Sequence, residues 1–291
     1  MDFMINLLFI ILEKTIPLFP LKFIQKIARL KGIFFYYFIP IRKKVAFKNL
    51  QIAFPEKSRK EIDRILRGTY VNVLLVIFEF FYLPKLDPEK LKGLVHVTNP
   101  ELISNKLKLG KGLVLISAHF GNWELIAYSV GQICGEPFNI IVKEQSNKAL
   151  DRKINRIRKS GGNKMIYMET SLKNILKLLA SNKIVAMLGD QSAPQESPVK
   201  SDFFMKNVPT FEGAARFAIR TGAPVIFGVP VRDKAGTYSI TLIELDTSKY
   251  KEYNEPNIAK LTQDHVDLLK EHIIAHPDHW LWFHRRFKNV E

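Results

Sequence analysis

A histidine and a glutamate lie five positions apart in the segment His119-Phe120-Gly121-Asn122-Trp123-Glu124. A histidine with a near-neutral pKa can take the proton from a hydroxyl group while that hydroxyl attacks a thioester. A nearby carboxylate can hold the imidazole in the required tautomer and stabilise the imidazolium that forms. We therefore predict that His119 is a general base and that Glu124 orients it. The alternative is a structural histidine hydrogen-bonded to a nearby acid.

The elements on either side of this segment are expected to bring the two side chains together. Residues 112–118 (GLVLISA) are typical of a buried strand, and a turn through Gly121 leads into a helix that ends near Gly131. Asn122 is a suitable N-cap and a candidate for substrate contact, and it places Glu124 in the first helical turn. A strand end followed by a turn lets the side chains meet at the carboxyl edge of a sheet, where open α/β sheets place their sites.

Four other polar residues are candidates for substrate binding. Residues 184–189 are predicted to form a strand, so Asp190 would share the rim with the histidine, where it binds a hydroxyl, orders a loop or caps a turn. Arg156 and Arg158 lie in a basic helix, where a guanidinium would hold phosphate or polarise a thioester carbonyl unless the face is simply solvated. Thr210 is predicted to cap a helix that follows an acceptor-binding loop.

Metal and cysteine chemistry are not expected. His272 and His276 have the spacing of a metal pair on a helix, but no third ligand is evident in the sequence. The single cysteine, Cys134, rules out an internal disulfide framework and is predicted to be a small buried side chain. We expect no metal ion and no bound cofactor.

Charge and hydropathy indicate a membrane surface. The net charge is +16, which favours nucleic acid, an anionic membrane surface or an acidic protein as partner. Residues 3–12 are apolar but too few to span a bilayer as a helix. Residues 17–31 carry apolar and basic faces at helical spacing, and the aromatic-rich residues 33–41 follow directly. These segments predict that residues 1–41 lie in the headgroup region, either as a shallow hairpin or as a single anchor, rather than packing only on the core.

The remaining residues, 42–291, are predicted to form one α/β domain with a central, mostly parallel sheet and helices on both sides. Ser58 and Glu61 form a capping box that opens a helix of about 25 residues. Residues 224–231 are predicted to form another strand. No nucleic-acid-binding motif is present, and the aromatic residues lie in apolar runs rather than among exposed basic ones, so we expect no nucleic-acid partner.

At this point the sequence resembles a known family. The segment Ser117–Glu124 is similar to the His-x-x-x-x-Glu motif of the bacterial late acyltransferases of lipid A biosynthesis (lauroyl/myristoyl type), within the lysophospholipid acyltransferase group. The resemblance covers nearly the whole chain, with motifs in order at Asn49-Leu50 with Phe54-Pro55, Leu150-Asp151-Arg152 with Arg158 and Gly162, Gly189-Asp190-Gln191, Phe203-Phe204 with Pro209-Thr210 and Gly213, Thr221-Gly222-Ala223-Pro224, and Trp282 to Lys288. Met205 departs from the family pattern, which often has glycine there.

The resemblance implies a function and a location. In that family the His and Glu are catalytic, the donor is usually an acyl carrier protein thioester, and the enzyme sits on the cytoplasmic face of the inner membrane. A lipid A precursor is the implied acceptor, and the family alignment favours Arg158 over Arg156. The alternative is a phospholipid or other glycolipid acyltransferase that uses acyl-CoA or acyl carrier protein.

Overall fold

The computed structural model describes residues 2–169 and 172–288, which fold around a six-stranded sheet with helices on both faces. The helices are α1 (Asp2–Thr15), α2 (Leu21–Phe38), α3 (Lys43–Ala53), α4 (Arg59–Tyr82), α5 (Pro88–Leu94), α6 (Glu101–Leu107), α7 (Trp123–Ile133), α8 (Lys148–Lys159), α9 (Leu172–Ala180), α10 (Gly213–Thr221) and α11 (Glu255–Ala275). The strands are β1 (Val95–Val97), β2 (Leu113–Ser117), β3 (Phe138–Val142), β4 (Lys164–Tyr167), β5 (Ile184–Leu188), β6 (Lys200–Phe203), β7 (Lys206–Pro209), β8 (Val225–Phe227), β9 (Pro230–Arg232), β10 (Tyr238–Ile240) and β11 (Ile243–Leu245).

The strand order of the central sheet is β11-β8-β2-β5-β3-β4. All neighbouring pairs are parallel except the edge pair of β11 and β8. The predicted α/β class, with a mostly parallel sheet flanked by helices, is therefore confirmed. A smaller sheet of order β1-β10-β9 and the antiparallel hairpin β6-β7 stand beside the central sheet.

The predicted strand 224–231 is wrong in its extent. The chain leaves the central sheet after Phe227, with a last hydrogen bond from Gly228 N to Ile116 O (3.1 Å), and β9 then starts in the smaller sheet. Pro230 opens β9, and proline has no N–H to donate to a ladder. One apolar run therefore supplies strands to two different sheets.

Strand β2 lies at the centre of the sheet, with all five of its residues buried, as predicted for residues 112–118. Leu113 and Leu115 face a core that includes residues of α6, α7 and α8. Val114 and Ile116 face the other core, which includes residues of α9, α10 and α11. Because both faces are covered, the strand has a continuous apolar sequence rather than an alternating one.

Helix α4 is the helix that the capping box predicted. Ser58 Oγ accepts from Glu61 N at 3.3 Å, and Ser58 N donates to Glu61 Oε2 at 2.9 Å. In the described part of the chain, the span Arg59–Lys85 is long and apolar enough to cross a membrane, but 56% of its apolar window is buried inside the protein. The helix packs on α2, α3 and α7, so its apolar composition is explained by its place in the core.

Helix α2 joins the basic amphipathic segment and the aromatic run into one element. It begins after Pro20, and its inner face buries Ile24, Ala28 and Tyr36 against the protein. Gly32 continues this row at helical spacing, where a Cβ would lie 2.5 Å from Val71 Cα of α4. The two helix backbones can approach this closely only because position 32 has no side chain.

The outer faces of α1 and α2 carry an unusual concentration of exposed apolar side chains. Of the 25 exposed large hydrophobic residues in the described chain, 16 lie between residues 3 and 41. Phe3 is 79% exposed, and Phe34 and Phe38 contact each other on the outside of α2 with tilted rings and centroids 5.0 Å apart. Single exposed apolar residues are normal, whereas a concentrated patch is typical of an interaction surface.

The close approach at Gly32 gives a stability prediction. Gly32→Ala should lower the free energy of unfolding by about 1–3 kcal/mol, because the new methyl group must push α2 away from α4. Gly93→Ala in α5 is the matched control, since no atom lies within 4 Å of its added Cβ. The control should gain roughly 0.5–1 kcal/mol from helix propensity. Urea unfolding measures both, and equal stability of the two variants would contradict the close α2–α4 contact.

Candidate active site

His119 and Asp190 meet at the carboxyl edge of the central sheet. Strands β2 and β5 run parallel with Ser117 opposite Leu188, and a further bond joins Gly189 N to Ser117 O at 3.0 Å. Two residues beyond that pair, the chains carry His119 and Asp190 at the same level. His119 Nδ1 lies 2.8 Å from Asp190 Oδ1. The histidine side chain is 20% exposed, so the ring remains accessible from the rim.

The acid beside it fixes the tautomer of His119. An ionised carboxylate only accepts hydrogen bonds, so Nδ1 carries the proton in the neutral ring and Nε2 presents its lone pair. The side-chain nitrogen of Gln191 lies 3.4 Å from Nε2, and the Trp123 ring stands at an angle to the imidazole with centroids 5.3 Å apart. The nitrogen that is able to accept a proton is therefore the one directed away from the acid.

The contact between His119 and Asp190 shifts the pKa values of both groups in the direction that favours their charged forms. Burial of the His119 ring opposes protonation, but the Asp190 carboxylate outweighs it, so the pKa of His119 is raised above its ordinary value. Burial likewise opposes ionisation of Asp190, while the histidine and the Trp280 indole hold the pKa of that carboxyl below its usual range. Asp190 is 4% exposed, and its Oδ2 accepts from Trp280 Nε1 at 2.9 Å.

Glu124 has a different partner from the one that the sequence suggested. Both of its oxygens accept from Arg158, with Nε 2.8 Å from Oε2 and Nη2 2.6 Å from Oε1. Burial works against ionisation of Glu124, but the guanidinium prevails and the pKa of the carboxyl is lowered. The hydrogen bond to the imidazole that was expected from Glu124 is made by Asp190, while Glu124 acts on the His119 pKa only through its charge. A planar guanidinium can donate to both carboxylate oxygens at once, which explains why Glu124 pairs with Arg158 rather than with His119.

The two candidate arginines point to different places. Arg158 is 23% exposed and joins the site through Glu124. Arg156 is 64% exposed and forms an ion pair with Glu13 of α1, 2.5 Å from its carboxylate. Arg158 is thus the arginine that the structure brings to the site.

The turn between His119 and α7 is held by contacts with Pro230 and Glu79. Gly121 has a φ of +53°, and a Cβ there would lie 2.0 Å from Pro230 O, so only glycine fits. Asn122 is the predicted N-cap, and its Oδ1 accepts from Leu125 N at 3.0 Å. Its Nδ2 donates to Glu79 at 2.6 Å, and the residue is fully buried. Asn122 therefore faces the protein interior rather than the rim.

Thr210 also lies inside the protein. Helix α10 starts at Gly213 with Glu212 as its N-cap residue, so the prediction that Thr210 caps this helix is wrong. Thr210 Oγ1 donates to Val208 O at 3.0 Å and accepts from Arg286 at 2.8 Å. The hydroxyl is used to join the loop after β7 to this buried arginine.

Several side chains that complete the site were not predicted as site residues. Gln191 and Trp280 contact the histidine and the aspartate, and Glu79 on α4 collects donors from three other elements, namely Gln25, Asn122 and Tyr238. Gln191 lay within a family motif, which could have revealed it. The contacts of Trp280 and Glu79 depend on which distant elements become neighbours, and local sequence carries no signal of that.

Metal-ligand clusters are not found in the described residues, in which no group of three or more His, Cys, Asp or Glu side chains is arranged to hold an ion. His272, one of the pair noted in the sequence, has its Nδ1 2.7 Å from Leu268 O of its own helix.

Comparisons with known proteins identify the family of the chain. A family model described as bacterial lipid A biosynthesis acyltransferase matches residues 2–289. The lipid A biosynthesis lauroyltransferase of Escherichia coli K12 is 24% identical over 86% of this chain and 80% of its own length. The palmitoleoyltransferase of the same pathway and organism is 21% identical with the same coverage. The phosphatidylinositol mannoside acyltransferase of Mycolicibacterium smegmatis is 25% identical over 75% of this chain and 70% of its own length.

The contrasting environments of the two arginines give a stability prediction. Arg158→Ala leaves the largely buried Glu124 carboxylate without its partner and should cost about 1.5–3 kcal/mol at neutral pH. Arg156→Ala removes an exposed pair and should cost no more than about 1 kcal/mol. The pKa of Glu124 is lower in the folded protein than in the unfolded protein. The stabilisation by Arg158 is therefore fully present above the pKa that the carboxyl has in the unfolded protein, and it is lost as pH falls through the lower pKa of the folded protein. The Arg158→Ala deficit should therefore shrink towards about pH 3.

Urea unfolding at both pH values measures this difference. A deficit that is the same at neutral and acid pH, or an equal deficit for the two arginine variants, would contradict a buried ionised pair.

Proposed function

Because the chain belongs to the bacterial lipid A biosynthesis acyltransferase family and is an O-acyltransferase of that type, we propose that it transfers a fatty acyl chain from a thioester donor to a hydroxyl group of a lipid A precursor. The observation that carries this proposal is the state of His119. Its Nδ1 is held by Asp190, which leaves Nε2 unprotonated at the carboxyl edge of the sheet.

The proposed reaction needs one base and no covalent enzyme intermediate. His119 Nε2 takes the proton of the acceptor hydroxyl while the oxygen attacks the thioester carbonyl carbon. The imidazolium that forms is stabilised by Asp190, whose carboxylate stays ionised. The tetrahedral intermediate then releases the thiol by breaking the carbon–sulfur bond, and the departing sulfur takes the proton back from Nε2. The products are an ester and a free thiol, and the histidine is neutral again.

In this proposal the Glu124–Arg158 pair forms the second half of the site. The guanidinium carries a full positive charge near the histidine, where it can bind a phosphate of the acceptor or stabilise the negative charge that develops on the thioester oxygen. Glu124 holds that guanidinium at two points, so its removal would free Arg158 to swing away. Glu124 would thus contribute to turnover through the arginine.

We propose acyl carrier protein as the donor, because the enzyme surface suits an acidic partner. The net charge is +16, and the outer face of α8, the helix that supplies Arg158, bears basic residues at helical spacing: Lys148, Arg152, Arg156 and Lys159. An acyl-CoA donor has fewer charges to spread over such a surface. Long-range attraction of this kind acts on the rate of encounter and weakens as salt screens it.

We also propose that residues 1–41 attach the enzyme to the cytoplasmic face of the inner membrane, with 42–291 as the acyltransferase domain. The exposed apolar side chains concentrated on α1 and α2 support this proposal. So does the row of exposed cations beside them, in which Lys26 and Lys31 lie on the same helix as Phe34 and Phe38. An apolar face edged by lysines is typical of helices that lie in the headgroup region of anionic lipids.

An activity assay with purified protein tests the proposed reaction. With acyl carrier protein thioester and a lipid A precursor, His119→Ala and Glu124→Ala should each lower turnover at least about a hundredfold. Activity of the wild type should fall as pH drops through the His119 pKa, since only the neutral ring accepts a proton, and this acidic limb should lie above about pH 6.5 because that pKa is raised. Rising salt should increase the apparent donor KM and leave turnover at saturation nearly unchanged.

His96→Ala is the control for that assay, because His96 is exposed in β1, outside the central sheet that carries the site. Near-normal turnover of a folded His119→Ala enzyme would refute the mechanism. Equal use of acyl-CoA, together with a salt-independent KM, would refute the donor. Transfer to a phosphatidylinositol mannoside in preference to a lipid A precursor would instead support the second candidate, which the similarity to the mycobacterial enzyme favours.

Membrane attachment has its own test. Phe34→Glu with Phe38→Glu should lower binding to anionic liposomes at least about tenfold, because each large apolar side chain contributes roughly 1.5–3 kcal/mol when it leaves water. Leu109→Glu with Tyr253→Glu changes two comparably exposed apolar residues elsewhere and should bind like the wild type. Point variants are preferable to removal of residues 1–41, which would strip the partners of α4. Equal flotation of both double variants would place the attachment surface elsewhere.

A further inference from the structure

We infer that Trp280 is a positioning residue for the His119–Asp190 pair, and that residues 277–287, the closing segment, hold both halves of the pair in place. This inference rests on the proposed role of His119 as general base. It adds a function for a tryptophan far from both residues in sequence. The segment includes most of the aromatic and basic motif from Trp282 to Lys288 that the sequence analysis identified. The proposed acyl-transfer chemistry gives this motif no role.

The backbone of the closing segment fixes the histidine. Leu281 N donates to His119 O at 3.0 Å, and Gly121 N donates to His279 O at 2.9 Å. Phe120 and Trp280 thus form an antiparallel bridge between these two bonds. Leu281 N therefore holds the carbonyl of the residue that carries the base, and His279 O holds the amide of Gly121 two residues later.

The side chain of the same tryptophan fixes the aspartate. Trp280 Nε1 donates to Asp190 Oδ2, while Asp190 Oδ1 accepts from His119, so the two oxygens have separate donors. The indole is 1% exposed, and it packs edge-on against Phe203 and Trp282 with centroids 5.4 and 4.6 Å away. A carboxylate held at one oxygen by a fully buried indole and at the other by the imidazole keeps its orientation towards the ring.

The loop that follows Asp190 is held by the same segment. Ser192 N donates to His284 Nε2 at 3.0 Å. Arg286, which is 2% exposed, donates to Pro209 O at 2.5 Å and to Thr210 Oγ1 at 2.8 Å. These bonds bind the chain on both sides of the β6-β7 hairpin, so the aspartate does not rely on Trp280 for its backbone position. Trp280 instead fixes the orientation of the Asp190 carboxylate group.

The tryptophan should act on the chemistry through the charge of Asp190. An N–H donor stabilises the ionised carboxylate and draws negative charge away from the oxygen that faces His119. Without that donor the carboxylate becomes more basic and stabilises the imidazolium more strongly, so the pKa of His119 should rise. The carboxylate also loses one of its two fixed contacts, so it holds the ring less rigidly in the orientation that proton transfer needs. Turnover should fall, whereas KM should not change, because Trp280 is buried away from substrate.

The chain offers a matched control for this test in Trp282. It is also fully buried, packs on Trp280, and donates its own Nε1 at 2.6 Å to Pro277 O rather than to the aspartate. Trp280→Phe and Trp282→Phe each remove one indole N–H from the same aromatic cluster and leave one acceptor without that donor. A purely structural role of Trp280 predicts the same consequences for both.

The experiment compares both variants in the acyl-transfer assay across pH, with thermal unfolding as the folding control. Trp280→Phe should lower kcat about tenfold, leave both KM values unchanged, and move the acidic limb of the kcat profile to higher pH by roughly half a unit, as expected when a hydrogen bond to a charged group is lost. Trp282→Phe should leave kcat and the limb in place. Similar kcat values and limbs for the two variants would overturn the inference. If Trp280→Phe does not fold, Trp280→Leu, which also lacks a donor, takes its place with the same two outcomes.

A double-mutant cycle shows whether the tryptophan acts through Asp190. In an Asp190→Asn background, Trp280→Phe should lower kcat no further, because the ionised acceptor is already gone. An unchanged tenfold loss in that background would overturn the inference. His119→Ala in the same assay separates the two proposals. If it keeps its activity, the proposed function fails, whereas if it is inactive and Trp280→Phe behaves like Trp282→Phe, only the positioning role fails.

Discussion

The hydrogen bond between His119 and Asp190 depends on the adjacency of two strands. The residues are far apart in sequence, and they meet because β2 and β5 are neighbours, parallel, and paired in a register that ends both strands at the same level. A slip of one residue would turn one side chain to the opposite face of the sheet. The buried apolar residues on both faces of β2 fix that register, so the core of the protein determines the distance between the His119 imidazole and the Asp190 carboxylate.

Burial of charge is the second constraint, and the protein meets it in three ways. Glu124 is neutralised by a guanidinium that reaches both oxygens, and Asp190 accepts hydrogen bonds from an imidazole and an indole. Glu79 instead collects neutral donors from three elements, namely Gln25 of α2, Asn122 of the turn and Tyr238 of β10. An unpaired buried carboxylate would cost several kcal/mol, so each of these contacts also fixes its neighbours in place. Through Glu79, the helix with the exposed aromatic face is joined to the N-cap of α7.

Sequence reasoning succeeded where a feature is local. The capping box at Ser58, the strand around Val114, the N-cap at Asn122 and the α/β class all follow from periodicity and capping chemistry. It failed where the answer depended on distant partners. Asp190 was recognised as lying on the same rim as His119, but its hydrogen bond was assigned to Glu124, which is closer in sequence.

The errors in element boundaries have a similar origin. The run 224–231 looks like one strand, yet the chain changes sheets within it because Pro230 cannot donate to the first ladder. Threonine is a suitable N-cap residue, but the hydroxyl of Thr210 accepts a hydrogen bond from Arg286, which lies 76 residues later. Contacts of this kind are set by packing, and no window of local sequence contains them.

The closing segment has a consequence for biosynthesis. A ribosome produces α1 and α2 first, and their apolar faces are available for lipid long before residues 277–287 exist. A nascent chain that has reached β11 already contains His119, Glu124, Arg158 and Asp190, but the main chain that brackets the histidine and the indole that holds the aspartate are still missing. If residues 1–41 bind lipid as proposed, contact with the bilayer would precede completion of the His119 site during translation. Chains truncated by premature termination would then occupy membrane without a complete site.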